Sequence, residues 1–151
     1  MTDMRRILLA EDDPNDVELT LTALGENNLA NEVVVVNDGV EALDYLHVRG
    51  RFADRPRGNP AVVLLDIKMP KLDGLEVLKQ MKADEGLRPV PVVMLTSSRE
   101  ESDLLESYRL GVNAYVVKPV DFREFIGAVR SLGLFWAVVN QPPPQNFRKI
   151  A

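Results

Sequence analysis

The sequence predicts an α/β fold: a doubly wound parallel sheet of five strands accompanied by five helices. Three observations carry that expectation. Short β-branched or Leu-rich runs recur along the chain, and most are continuous rather than alternating, the pattern of strands covered on both faces. Helix-period segments separate them, and four of these open on the same capping chemistry. Acidic or polar residues stand directly after the runs, where open α/β sheets bind their ligands.

The first run is Ile7 to Ala10, followed by a helix with Asp13 as cap, Pro14 at its first position and Asp16 in its first turn. Val33 to Val36 is the second strand, and Asp38-x-x-Glu41 opens the second helix. Then comes "RGRFADRPRGNP", Arg49 to Pro60, a loop by composition with its four Arg, two Gly and two Pro. Ala61 to Leu65 leads to Asp73-x-x-Glu76, Val90 to Leu95 to Ser98-x-x-Glu101, and Ala114 to Val117 to Asp121-x-x-Glu124. Each box sets a capping side chain three residues before a Glu that can reach back. Right-handed crossovers between such strands lay helices on both sheet faces. The closing "NQPPPQNFRKIA" cannot continue a helix.

Composition sets the outer limits. A chain of 151 residues can bury one core without staples, and Cys is absent, so no disulfide contributes. Hydrophobic residues at 46% and charged residues at 27% suit a globular protein. The net charge of −5 argues against general attraction to nucleic acid or an anionic membrane. The apolar run before Glu11 is only four residues long, too short for a signal peptide, and no run approaches a membrane span. The expectation is a cytoplasmic protein.

The strand-end residues are Glu11, Asp12 and Asp13, then Asp66, Thr96, and Lys118 before Pro119. Several have plain structural uses: Asp13, Asp73, Ser98 and Asp121 as helix caps, Ser97 as a spacer. His47, the single histidine, is expected at the surface without a role. The conjunction says more. Glu11, Asp12 and Asp66 brought to one rim repel each other unless they surround a cation, and an all-oxygen set without His or Cys suits Mg²⁺. Lys118 adds a fixed ammonium and Thr96 a hydroxyl, both fitted to a tetrahedral anion. Asp66, screened by both cations, can then attack phosphorus and form an aspartyl phosphate.

The segments "LLAEDDPND", "LLDIKMPKLDG", "VVMLTSS" and "AYVVKPV" together resemble the receiver domain of two-component response regulators, over residues 5 to about 132. The resemblance implies a flavodoxin-like sheet in the order 2-1-3-4-5. It implies Asp66 as phosphoacceptor, with Mg²⁺ bound by Asp12, Asp66 and the backbone carbonyl of Lys68, and by Glu11 through water. Thr96 and Lys118 would contact the phosphoryl group, and Tyr115 would be an aromatic switch that turns inward when Thr96 moves. Such a protein is a phosphoacceptor rather than an enzyme, with self-catalysed, Mg²⁺-dependent uptake and slow autodephosphorylation. The receiver domain is expected over 1–139 and a proline-containing tail, with no output domain, over 140–151. The long Arg49 to Pro60 loop and "LGLFWAVVNQPPP" are similar to the phytochrome-associated single-domain response regulators.

The donor histidine must then lie on a partner histidine kinase, of phytochrome type by the same resemblance. About 20 residues after the receiver motifs are too few for a DNA-binding domain, so output is expected through protein contacts. Phe135, Trp136, Val138 and Val139 add apolar surface beyond the fifth helix, from which a homodimer is expected, with the aromatic pair as anchors. A haloacid-dehalogenase-type phosphatase would need an Asp where Lys68 stands. A flavodoxin-type FMN binder would find its phosphate repelled by Glu11, Asp12 and Asp13. The serious alternative is a phosphorylation-independent adaptor or dimerisation module on a receiver fold.

Overall fold

Two-sided burial of the strands dictates the layers. A computed structural model describes residues 2–25, 32–97 and 114–131. Its strands are β1 (Thr2–Ala10), β2 (Glu32–Val36), β3 (Asn59–Asp66), β4 (Val92–Thr96) and β5 (Ala114–Val117), all parallel in the order β2-β1-β3-β4-β5. The helices are α1 (Pro14–Gly25), α2 (Gly39–His47), α3 (Gly74–Ala83) and α4 (Phe122–Ser131). The period-2 alternation of strand side chains divides the core in two. Leu8, Ala10, Val63, Leu65, Val92 and Met94 pack with Leu43, Leu46, Leu78 and Met81 of α2 and α3. Ile7, Leu9, Val62, Leu64, Val93 and Leu95 pack with Leu24 of α1 and with Phe125 and Ile126 of α4.

The cap half of each described box forms as the sequence pattern requires. Asp38 Oδ1 accepts the Glu41 N–H at 2.8 Å, and Asp73 Oδ1 accepts the Glu76 N–H at 2.9 Å. Asp13 Oδ1 accepts from Asn15 and Asp16, and Asp121 Oδ1 from Arg123 and Glu124. Glu41 does reach back, though to the N–H of Asn37, one residue before the cap. The box at Ser98 and Glu101, the apolar residues Phe135, Trp136, Val138 and Val139, and the proline tail lie outside the described residues.

Element limits differ from the apolar runs in four strands; β2 starts one residue earlier, at Glu32, and β3 runs from Asn59 to Asp66. β1 begins at Thr2, because Thr2 and Asp3 pair with Asn59 and Pro60 of β3 before a register shift leads to Ile7. β4 begins at Val92, since Pro91 has no N–H for the ladder, although its carbonyl still accepts the Val63 N–H at 3.0 Å. The Arg-rich loop contains one 3-10 turn, Gly50–Phe52, and is tied to α2 through Tyr45. The Phe52 ring meets the Tyr45 ring edge-on at 5.1 Å, while Arg55 stacks over Tyr45 at 4.0 Å and donates from Nε to the Tyr45 carbonyl. His47 closes α2, exposed, with Nε2 3.8 Å from Asp84 Oδ2.

Val48 caps α2 in the left-handed region at φ 55, a conformation that crowds a β-branched side chain. Val48→Gly should therefore stabilise the fold by about 0.5–1 kcal/mol, a rise in Tm of roughly 1–4 °C in a thermal melt, the relief of strain exceeding glycine's extra freedom in the unfolded chain.

Candidate functional site

Parallel pairing in this order delivers the ends of β1, β3, β4 and β5 to one rim. Glu11 follows β1, and its N–H donates to the Val36 carbonyl, so the chain continues the sheet for one more residue. Asp66 ends β3. Its neighbour Ile67 extends the ladder by donating to the Leu95 carbonyl and accepts the Gly74 N–H at 2.7 Å. A Cβ on Gly74 would overlap the Asp66 carbonyl, so α3 starts directly against the backbone of this carboxylate, an approach only glycine permits. Thr96 ends β4, buried at 1% exposure, and its carbonyl accepts the Lys118 N–H at 2.7 Å. Lys118 thus leaves β5 with its backbone fixed beside Thr96. The Lys118–Pro119 peptide bond is cis.

The Lys118 ammonium is the centre of the site. It donates to Glu11 Oε1 at 3.0 Å, to Asp16 Oδ2 at 3.0 Å and to Asp66 Oδ2 at 3.2 Å. Burial alone would lower its pKa, but the hydrogen bonds to Glu11 and Asp16, with the charges of Asp66 and Glu11, outweigh burial and hold it above the ordinary lysine value. Glu11 is fully buried. Burial, and then the Asp66 carboxylate beside it, push the Glu11 carboxyl up to about 7, against the pull of the Asp13 N–H and of Lys118. The Lys118 ammonium is outnumbered by the carboxylates it touches, which leaves this cluster short of positive charge.

Glu11, Asp12 and Asp66 present oxygens that all lie within 4.8 Å of one another. Opposite ligands on a divalent cation bound by oxygen are about 4–5 Å apart, so this donor set fits such an ion. The two buried members, Glu11 and Asp66, give the fit its weight, because a pair of buried like charges is costly without a counter-ion. Asp12 is exposed and faces the same cavity, of about 170 Å³, which is also lined by Asp13, Asp16, Ile67, Lys68 and Ser97. Lys68 is thereby placed where its backbone could join the set.

Asp66, Asp12, Glu11, Lys68 and Lys118 are thus brought together. Thr96 abuts the group through its backbone without lining the cavity. Tyr115, opposite Met94 in the β4–β5 register, is half-buried against the α2 and α3 side of the core. Two residues escaped the sequence reading. Asp16 had a sufficient explanation as a first-turn acid, and its only other signal is its place one helical turn beyond Asp12. Ser97 was assigned to spacing, yet it lines the cavity.

Comparison with known proteins agrees with this architecture. The profile of the response regulator receiver domain matches residues 7–130. Response regulator Rcp1 of Synechocystis sp. (strain ATCC 27184 / PCC 6803 / Kazusa) is 36% identical over 130 residues, covering 86% of this chain and 87% of Rcp1. The Mn²⁺-bound form of Rcp1 superposes with a TM-score of 0.72 at 34% identity, over 93% of this chain and 99% of that one. The bacteriophytochrome response regulator AtBRR is 63% identical with a TM-score of 0.85, covering 92% of this chain and 99% of its own. The phosphorylated cyanobacterial phytochrome response regulator RcpA is 39% identical with a TM-score of 0.71, covering 87% and 93%. With its motifs in order, its sheet in the order 2-1-3-4-5 and phytochrome response regulators among its close homologues, the chain belongs to the response regulator receiver domain family.

Proposed function

We infer that this protein accepts a phosphoryl group on Asp66 from the phosphohistidine of a partner kinase, and that the acyl phosphate alters its contacts with other proteins. The observation that carries the reading is the three-way hold of Lys118 on Glu11, Asp16 and Asp66 at the carboxyl ends of the strands. In the transfer an Asp66 carboxylate oxygen bonds to phosphorus. The phosphorus–nitrogen bond breaks, and its electron pair returns to the donor imidazole. Lys118 grips one oxygen of Asp66 and so orients the nucleophile before reaction. Asp12, Asp66 and the Lys68 carbonyl would hold Mg²⁺, with Glu11 acting through water, and the bound ion would supply positive charge at the phosphoryl oxygens.

Thr96 and Tyr115 extend the reading to output. Thr96 ends the strand to which Lys118 is tied, and Tyr115 lies two residues back along the paired strand. A phosphoryl group that draws on the Thr96 hydroxyl shifts this corner and lets the Tyr115 ring turn inward, a population shift between two packings. Lys118 serves both ends, since its ammonium meets the phosphoryl group and its backbone meets Thr96. The names of the phytochrome response regulator RcpA and the bacteriophytochrome response regulator AtBRR support a phytochrome-type kinase as partner. The apolar run through Phe135, Trp136, Val138 and Val139 supports a homodimer. No helix among the described residues is long and apolar enough to cross a membrane, which accords with a cytoplasmic setting.

Three outcomes test this. Incubated with a small phosphodonor and Mg²⁺, the wild type should gain the mass of one phosphoryl group and Asp66→Asn none; equal gains would remove Asp66 as the acceptor, and no gain in either would favour the adaptor reading. Divalent cation at ten times its Kd should stabilise the wild type by about 1.4 kcal/mol, roughly 3–6 °C in Tm, and EDTA should reverse the shift. Asp12→Asn and Asp66→Asn should largely abolish it. Thr96→Ala should still take up phosphate, but the change in hydrogen exchange over Ala114–Val117 on phosphorylation should be mostly lost; a full response would remove Thr96 from the coupling.

A further inference from the structure

The Lys118 ammonium has three N–H donors, and the three carboxylates around it use all of them. If Asp66 is the phosphoacceptor, the reading on which this inference rests, a phosphoryl oxygen can reach that ammonium only by displacing one of its partners. The three differ in what displacement costs. The Glu11 side chain is 0% exposed, and losing its ammonium would strand a buried carboxylate. Asp66 is 6% exposed and is itself the group that carries the phosphoryl. Asp16, from the first turn of α1, is 27% exposed and lines the open cavity, so water can take over its solvation.

We propose that Asp16 is a positioning residue that occupies Lys118 in the unphosphorylated protein and is displaced when a phosphoryl group arrives, which sets how strongly the site holds phosphate. Two effects act in the same direction. Asp16 competes for the ammonium, and its negative charge lines the cavity that an incoming anion must enter. Both weaken the phosphorylated state. Asp16 also belongs to α1, where its N–H is capped by Asp13 Oδ1 at 3.3 Å, so its release carries the state of the site to the start of that helix.

The test is titration with beryllofluoride, a fluoride complex that forms a tetrahedral adduct on a carboxylate oxygen in the phosphoryl position, at fixed saturating Mg²⁺, followed by calorimetry and by the amide resonances of residues 13–17. Asp16→Asn and Asp16→Ala should bind it about three- to tenfold more tightly than wild type, the range expected for removing one charge about 6 Å away in a partly wet site. Asp16→Glu should return the affinity toward wild type, and wild type should show amide shifts at Asn15 and Asp16 on binding. A variant that merely disturbed the fold would bind more weakly, so unchanged or weaker binding in both the Asn and the Ala variants overturns the proposal. Asp66→Asn serves as the control. If the wild type fails to bind beryllofluoride, or Asp66→Asn binds it equally, the phosphoacceptor reading itself fails.

Discussion

Everything at the carboxyl rim of this protein depends on one ammonium. Lys118 collects carboxylates that the chain supplies from the end of β1, the first turn of α1 and the end of β3, and it can do so only because β5 is placed beside β4 and β4 beside β3. Without that charge Glu11 and Asp66 would face each other buried and uncompensated, at a cost of roughly 3–5 kcal/mol, a large part of the roughly 5–15 kcal/mol that holds a domain folded. The site is therefore part of the fold's stability. It remains short of positive charge even so, and that shortage gives it an appetite for a divalent cation.

Behind the carboxylates the β3–α3 connection is fixed by backbone packing. Gly74 lies against the Asp66 carbonyl, and a Cβ on Gly39 would overlap the backbone of Leu72, so the starts of α2 and α3 both bear on this one loop. Lys71, in the left-handed region at φ 67, sends its ammonium to Asp38 Oδ2 at 3.4 Å and ties the loop to the cap of α2. Asp38 thus caps a helix and receives a cation from the neighbouring connection. A nucleophile gains from such support, since small displacements of a reacting group are expensive in rate.

How much of this was legible followed from the kind of signal each residue gives. Strands covered on both faces must be apolar throughout, so Ile7 to Ala10 and Ala61 to Leu65 declared themselves. The leading residues of β1 did not, because Thr2 and Asp3 are strand by virtue of a partner, Asn59 and Pro60, that no local pattern reveals. Asp66, Lys118 and Thr96 were legible as polar residues ending apolar runs. Asp16 was hidden by having a complete local explanation in its helix, and only the distance to Lys118 reassigns it. Ser97 was hidden in the same way. Residues with one sufficient local role are where sequence reasoning stops looking, and a site assembled from distant strand ends recruits such residues freely.

The uneven rigidity of the molecule also decides where a signal can leave. A phosphoryl group on Asp66 would press on all of its neighbours, but they do not yield equally. The α2 and α3 side is held by glycine contacts against backbone and by the Lys71–Asp38 pair. β3 is central and buried almost end to end. β5 is a four-residue edge strand with a single pairing partner among the described residues, and Ala114, Tyr115 and Val117 are only half-buried. Elements with one partner and incomplete burial move at the least cost in free energy. Lys118 follows that strand immediately, so the ammonium that touches Asp66 is attached to an edge element of the sheet. Under the proposed function, the path through Thr96, Lys118 and Tyr115 follows from where the sheet ends.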